Sequence, residues 1–358
     1  MNNLFTKRSG VLIISFFLFS AASFSQFKDV DFLRSIPADG VKYLQEYIAP
    51  WANAFGAGLS GGWYNTAKPH KLGGFDVTIN TSVGIVPKSA ETFDVSKIGL
   101  TSLTGTGTAS TVAGPKTDGP LMSYKSGNVT LASFNTPQGT GWRWIPVPSA
   151  QVGIGLPLGT ELKVRFIPKI NIKDGNVSLW GVGLVHSIMQ YIPGSKLLPF
   201  DVSLFGGYTK LISNVPLKLE PGSPNHYSSK YSLSTSFSDQ NLNVKVGALN
   251  IGVIASIALP VITFYGGLGY CKTKTEMKLE GNYPTPTLNT SDPVNPYAEY
   301  ADKGVITGDK FPAMNIENFS GLRANVGLRL KLAVITIHAD YTRAQYNVLT
   351  TGLGISFR

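Results

Sequence analysis

From residue 54 to the end of the chain, apolar residues alternate with polar or small ones at every second position. In "FDVTINTSVGI" Phe75, Val77, Ile79, Val83 and Ile85 oppose Asp76, Thr78, Asn80, Ser82 and Gly84. In "ELKVRFIPKINI" Leu162, Val164 and Phe166 oppose Lys163 and Arg165. In "GLRANVGLRLKL" Leu322, Val326, Leu328 and Leu330 oppose Arg323, Asn325, Arg329 and Lys331. A period of two is that of a β-strand with two unlike faces. It predicts strands over 54–66, 73–86, 147–157, 160–172, 176–187, 199–212, 240–259, 261–279, 320–332, 334–343 and 346–357. That count is odd, whereas single-chain bacterial barrels carry even numbers. "NVTLASF" (128–134) and "YSLSTSFS" (231–238) are candidates for the missing strand. The apolar phase of 240–259 also moves from even to odd positions near Ala248, as a bulge or break would cause.

Before the strands, Val41, Leu44 and Ile48 recur at helical spacing and Pro50 follows, which predicts a short amphipathic helix over 38–48. Its expected role is that of a plug or of a docking element. Earlier still, "MNNLFTKRSGVLIISFFLFSAASFSQ" has two basic residues, a short apolar run and small residues before Gln26, the pattern of a secretory signal cleaved near Ser25/Gln26. The expected organisation is a signal peptide at 1–25, an N-terminal segment with the helix at 26–53, and a barrel at 54–358.

The strands are long, commonly ten residues or more, and very short turns alternate with long polar loops. These features favour a transmembrane barrel over a soluble sandwich, because lipid allows a sheet only if it closes on itself. The expected fold is all-β: a transmembrane antiparallel β-barrel of 12–14 strands with a short N-terminal amphipathic helix. Composition agrees with it. Only 15% of residues are charged, glycine numbers 39, and the single cysteine, Cys271, leaves an exported chain without an internal disulfide.

With its signal and the closing strand "GISFR", the chain resembles outer-membrane β-barrel proteins of Gram-negative bacteria. Their last strand typically ends in an aromatic residue that the assembly machinery recognises. Here the matching residue is Phe357, one position before the end. The segments "GLSGGWYNTAKPHKLGGFDVTIN" and "QVGIGLPLGTELKVRFIP" look like an uncharacterised family of such barrels. The helix ahead of the barrel is loosely similar to long-chain fatty-acid transporters and to barrel subunits of secretion complexes. The resemblance implies outer-membrane lipid and the outer-membrane assembly machinery as partners.

Charge shapes the functional expectation. Lys163, Arg165, Lys169, Lys245, Arg323, Arg329 and Lys331 alternate with apolar positions, against few inward acids (Asp76, Asp201, Asp340). A basic residue facing lipid near the midplane costs roughly 2–4 kcal/mol, so all seven are expected to line the lumen. A positive lining favours anions. The leading expectation is a channel or transporter for small anionic or amphipathic solutes. The alternative is a non-transporting barrel in an assembly or secretion complex, with a plugged lumen.

Catalytic chemistry is thinly represented. "GLSGG" (58–62) matches a nucleophile-elbow pattern but sits in an alternating glycine-rich stretch, without the strand–turn–helix context the motif needs. His338 and Asp340 share a face but have no assignable serine. No metal-ligand spacing, phosphate loop or nucleic-acid module is present, so no enzyme activity, metal, cofactor or nucleic-acid partner is expected.

Overall fold

The computed structural model describes residues 37–126, 129–172, 175–217, 239–284, 305–307 and 314–357. Ten antiparallel strands form a closed barrel: β1 (Phe75–Ile85), β2 (Trp144–Leu156), β3 (Thr160–Ile172), β4 (Gly175–Ser187), β5 (Phe200–Pro216), β6 (Asn241–Ala258), β7 (Ile262–Glu280), β8 (Met314–Leu332), β9 (Ile335–Arg343) and β10 (Asn347–Phe357). Each pairs with its neighbour in sequence, and β1 with β10 closes the ring. At that seam Phe75 lies opposite Phe357 and their rings stack with centroids 5.0 Å apart. The aromatic at the chain's end is therefore built into the seam.

Among the described residues the barrel has ten strands, where twelve to fourteen were expected. Parity is even, but it is reached by losing a strand. The segment 54–66 is no strand: a helix, α1, runs Pro37–Ser60, straight through Pro50. An interior proline costs a helix about 3 kcal/mol. Here the barrel wall encloses the second half of α1 and holds it helical. The alternation in "AFGAGLSGG" arises because a helix enclosed on all sides needs no polar face. Small residues then fall wherever the wall comes close. A Cβ on Gly58 would lie 2.6 Å from Val147 Cγ2, one on Gly61 2.7 Å from Ser82 Oγ, and one on Gly56 3.0 Å from Thr273 Cβ.

The two extra candidates do not add to the barrel. Val129–Asn135 pairs with Leu121–Ser126 in a small separate sheet, and 231–238 lies outside the described residues, as does the segment read as a signal. Strand 240–259 is one unbroken element, β6, whose even residues face inward along its whole length. Its apolar phase changes because its surroundings change. Near the loop end Leu242, Val246 and Ala248 pack inward near α1, while Lys245 looks outward. Lower down, polar Asn250 and Ser256 face in, and Ile251, Val253 and Ile257 face out.

The barrel's two ends differ. At one, β2–β3, β6–β7 and β8–β9 are joined by short turns. At the other lies the insert 86–143, with two small sheets, together with the connections after β5 and β7. The separation is incomplete, since β4–β5 is joined by twelve residues (188–199) at the turn end and β3–β4 and β9–β10 by short connections at the loop end, but the longest segments gather at one end, as in outer-membrane-type barrels. A transmembrane strand needs roughly 9–11 tilted residues. β5 to β8, with 17, 18, 19 and 19 residues, therefore stand well above the apolar band at the loop end.

α1 enters at the loop end. There Asp39 accepts from the backbone N–H groups of Thr101, Ser102 and Leu103 and from the Thr101 hydroxyl. Burial opposes the charge, but these donors outweigh it and hold the Asp39 carboxyl below its usual range. Lys42 donates to Gly99 O at 2.6 Å and Tyr47 to Gln138 O at 2.8 Å. With Val95, Leu103 and Met122, the first half of α1 forms a core above the barrel; its second half fills the upper lumen against Val147, Leu179, Leu211 and Val246. A strap, residues 61–74, then runs down the lumen, packing Trp63 and Tyr64 on Phe205 and Tyr265, and delivers the chain to β1 at the turn end.

Candidate functional site

The lumen is the candidate site, and the plug occupies it. Every second residue of β1 and β9, and of β3 over 161–165 and β8 over 323–329, points inward, so their polar side chains converge on the strap and the end of α1. A helix leaves its last four carbonyls without partners, with partial negative charge gathered there. In the middle of a barrel, water cannot satisfy them. Two guanidinium groups do. Arg165 Nη1 donates to Leu59 O at 2.9 Å and Nη2 to Gly61 O at 2.6 Å. Arg323 Nη1 donates to Ser60 O at 2.9 Å, and Asn250 Nδ2 to the same oxygen at 3.1 Å. Arg165 also lies over the Trp63 ring, 3.8 Å from its centroid, and its Nε donates to Gln151 Oε1. The helix end is clamped by charge-assisted bonds, among the stronger kind available.

A second cluster anchors the foot of the strap. His70 Nδ1 lies 3.0 Å from Glu161 Oε2, its backbone N–H donates to the same oxygen, and its Nε2 lies 3.0 Å from Ser356 Oγ on the seam strand. Lys163 Nζ lies 2.5 Å from Glu161 Oε1 and 3.5 Å from Asp76 Oδ1. Ser356, His70 and Glu161 thus form a hydroxyl–imidazole–carboxylate chain. Ser356 is only 1% exposed, however, which leaves a substrate carbonyl no approach. His70, Asp76 and Glu161 could also present ligand atoms to a cation, but the Lys163 ammonium already bridges both carboxylates. The cluster is a latch tying strap, β3 and seam together. Replacing Glu161 by Gln leaves Lys163 with Asp76 alone, so we expect a loss of about 2–3 kcal/mol. It should appear as a lower temperature for loss of the fast-migrating unboiled band on gels; an unchanged temperature would refute the latch.

Of the residues expected in the lumen, Lys163, Arg165, Arg323 and Arg329 are buried inside the barrel, and Lys331 is half-buried near the turn end. Lys169 and Lys245 are not lumen residues. Lys169 lies within a register shift in β3 between Ile167 and Ile170 and is exposed, and Lys245 faces outward on β6 above the apolar band. Inward position also does not mean lining an open path, because Arg165 and Arg323 are bonded to the plug. His338 and Asp340 do not form a pair: Asn65 Nδ2 lies 3.5 Å from His338 Nδ1, and Asp340 accepts from the Tyr265 hydroxyl at 3.0 Å. Ser60 of "GLSGG" bonds back to Gly56 O, within its own helix. Sequence reading missed His70, Glu161 and Ser356, whose partners come together only through the closed ring.

Residues 3–357 match a family of unknown function, DUF6588. The chain belongs to DUF6588. No protein of curated function matches it. Among solved structures, this DUF6588 chain is similar to the outer membrane protease OmpT from Escherichia coli, at 11% identity over 83% of this chain and 100% of that one, with a TM-score of 0.34. It is also similar to Ail, the attachment invasion locus protein of Yersinia pestis, at 9% identity over 80% and 99% of the two chains (TM-score 0.26). The translocator domain of the autotransporter NalP from Neisseria meningitidis matches at 10% identity over 81% and 90% (TM-score 0.29). At these identities and scores, no activity transfers to the DUF6588 chain.

Proposed function

We propose that this protein is a non-conducting outer-membrane barrel, sealed by its own N-terminal segment, which holds a surface module above the membrane as a docking element of a larger assembly. The module is the first half of α1 with the insert 86–143. The observation that carries this reading is the clamp: Arg165 and Arg323, the charges best placed to attract an anion, spend their donors on the carbonyls of Leu59, Ser60 and Gly61. A location in the outer membrane is supported by the closed ring and by outward Val77, Ile79, Val164, Phe166, Val253 and Phe264. In the rival reading, transport of small anionic or amphipathic solutes, α1 and the strap must leave the lumen. Planar-bilayer recording separates the two. The purified protein is expected to be silent, and steady anion-selective conductance from it would restore the channel reading.

A further inference from the structure

We propose that the outward face of β5, β6 and β7 at the loop end binds the phosphates of an anionic glycolipid in the outer leaflet. The inference rests on the membrane-spanning reading of the barrel but not on whether the lumen conducts. Up β7 from its turn-end start, the outward residues are Ile262, Phe264, Gly266, Leu268 and Tyr270, then Lys272, Lys274, Glu276 and Lys278. On β6 they are Ile257, Ala255, Val253, Ile251 and Leu249, then Gly247 and Lys245. On β5, Leu204, Gly206 and Tyr208 are followed by Lys210. The change from apolar to basic comes within three successive cross-strand rows: Tyr208, Leu249 and Lys272 lie in the first, Lys210, Gly247 and Lys274 in the second, and Ile212, Lys245 and Glu276 in the third. Tyr208, its ring tilted against Trp180 with centroids 5.8 Å apart, and Tyr270 mark that edge, as aromatic residues mark a membrane interface.

Counting roughly ten residues to cross the hydrocarbon places the lysines at headgroup level. Strands about 4.8 Å apart, rising about 3.3 Å per residue, put the five in a patch about 10 Å wide and 20 Å tall. Two acids, Glu276 and Glu280, share the face, leaving it a net +3. Among the described residues none of the five lysines is in an ion pair. An excess of lysines over acids directly above an apolar wall, kept even though Lys245 stands opposite Glu276 in the register, matches a lipid with several acyl chains and more than one phosphate. A zwitterionic phospholipid offers them no net charge, and a free anion has nothing to set against the wall.

The test is lipid retention in native mass spectrometry, with diphosphorylated lipid A as probe. The intact barrel in detergent is expected to bind it. The Lys245→Gln/Lys272→Gln/Lys274→Gln variant is expected to bind about a hundredfold more weakly, at roughly fivefold per lysine. Should the triple variant lose its heat-modifiable mobility, Lys274→Gln alone is expected to show the fivefold loss. Equal binding by variant and wild type, equal binding of phosphatidylethanolamine, or displacement of the probe by excess inorganic phosphate would each overturn the proposal.

Discussion

Replacing Arg165 and Arg323 together by Ala is expected to turn a silent barrel into a conducting one and to cost about 5 kcal/mol of stability. The figure follows from what is left behind. The carbonyls of Leu59, at the end of α1, and of Gly61, at the start of the strap, lose their donors inside the wall, while Ser60 O keeps Asn250; each buried acceptor left without a partner costs about 1–3 kcal/mol. The Trp63 ring loses the cation above it as well. Loss on this scale is comparable to the whole stability of many domains. It should release the helix end before it opens the ring, because the ladder bonds of β1 to β10 are untouched. Two measurements check this: planar-bilayer conductance, and the temperature at which the unboiled band converts to the slower form. If the double variant stays silent and as heat-resistant as the wild type, the two arginines do not hold the plug.

The second large effect is expected at Gly84. This glycine faces inward from β1, and a Cβ there would lie well inside contact distance of the Ala54 carbonyl oxygen on α1. The obstacle is helix backbone, not a flexible side-chain tip, so it cannot turn aside. Overpacking of well-packed sites costs about 1–3 kcal/mol and occasionally more. With backbone as the obstacle we expect Gly84→Val to cost about 4 kcal/mol or more and to shift α1 away from β1. Protease sensitivity within residues 37–60, compared with wild type on the same detergent-extracted protein, reports the shift. A variant as resistant as the wild type would mean that α1 does not pack on β1 as described.

The barrel wall was legible in the sequence because lipid imposes one condition on every strand. Residues such as Val77, Val164 and Val253 must all be apolar, and the alternation survives whatever fills the interior. The interior has no such uniform demand. Opposite α1 it is apolar, as at Val246 and Leu211; opposite the strap it is polar, as at Arg165, Asn325 and Thr336. The phase change in β6 therefore imitates a bulge or break, and a reading by phase alone puts Lys245 on the wrong side of the wall. The length of α1 was hidden for a related reason: a helix with wall on every side shows no amphipathic stripe, and Pro50 gives a stop signal that packing overrides. The clamp left no trace, since its acceptors are backbone carbonyls, which every sequence has. The latch was equally hidden. His70, Glu161 and Ser356 lie far apart in the chain and meet only where the first and last strands join.

The path of residues 37–75 also bears on how such a barrel can be built. α1 enters at the loop end, yet β1 begins at the turn end, so the chain passes down the full lumen before the wall starts. An α-helix with its side chains is about 10–12 Å across. Threading it lengthwise into a finished ring would mean dragging buried Trp63 and Arg165's carbonyl partners past every inward side chain. Letting the wall wrap around a segment already lying in place requires no threading. The pairing of Phe75 with Phe357 is then the final stitch, and the strap beside it, through His70 on Ser356, supplies a template against which the last strand can find its register.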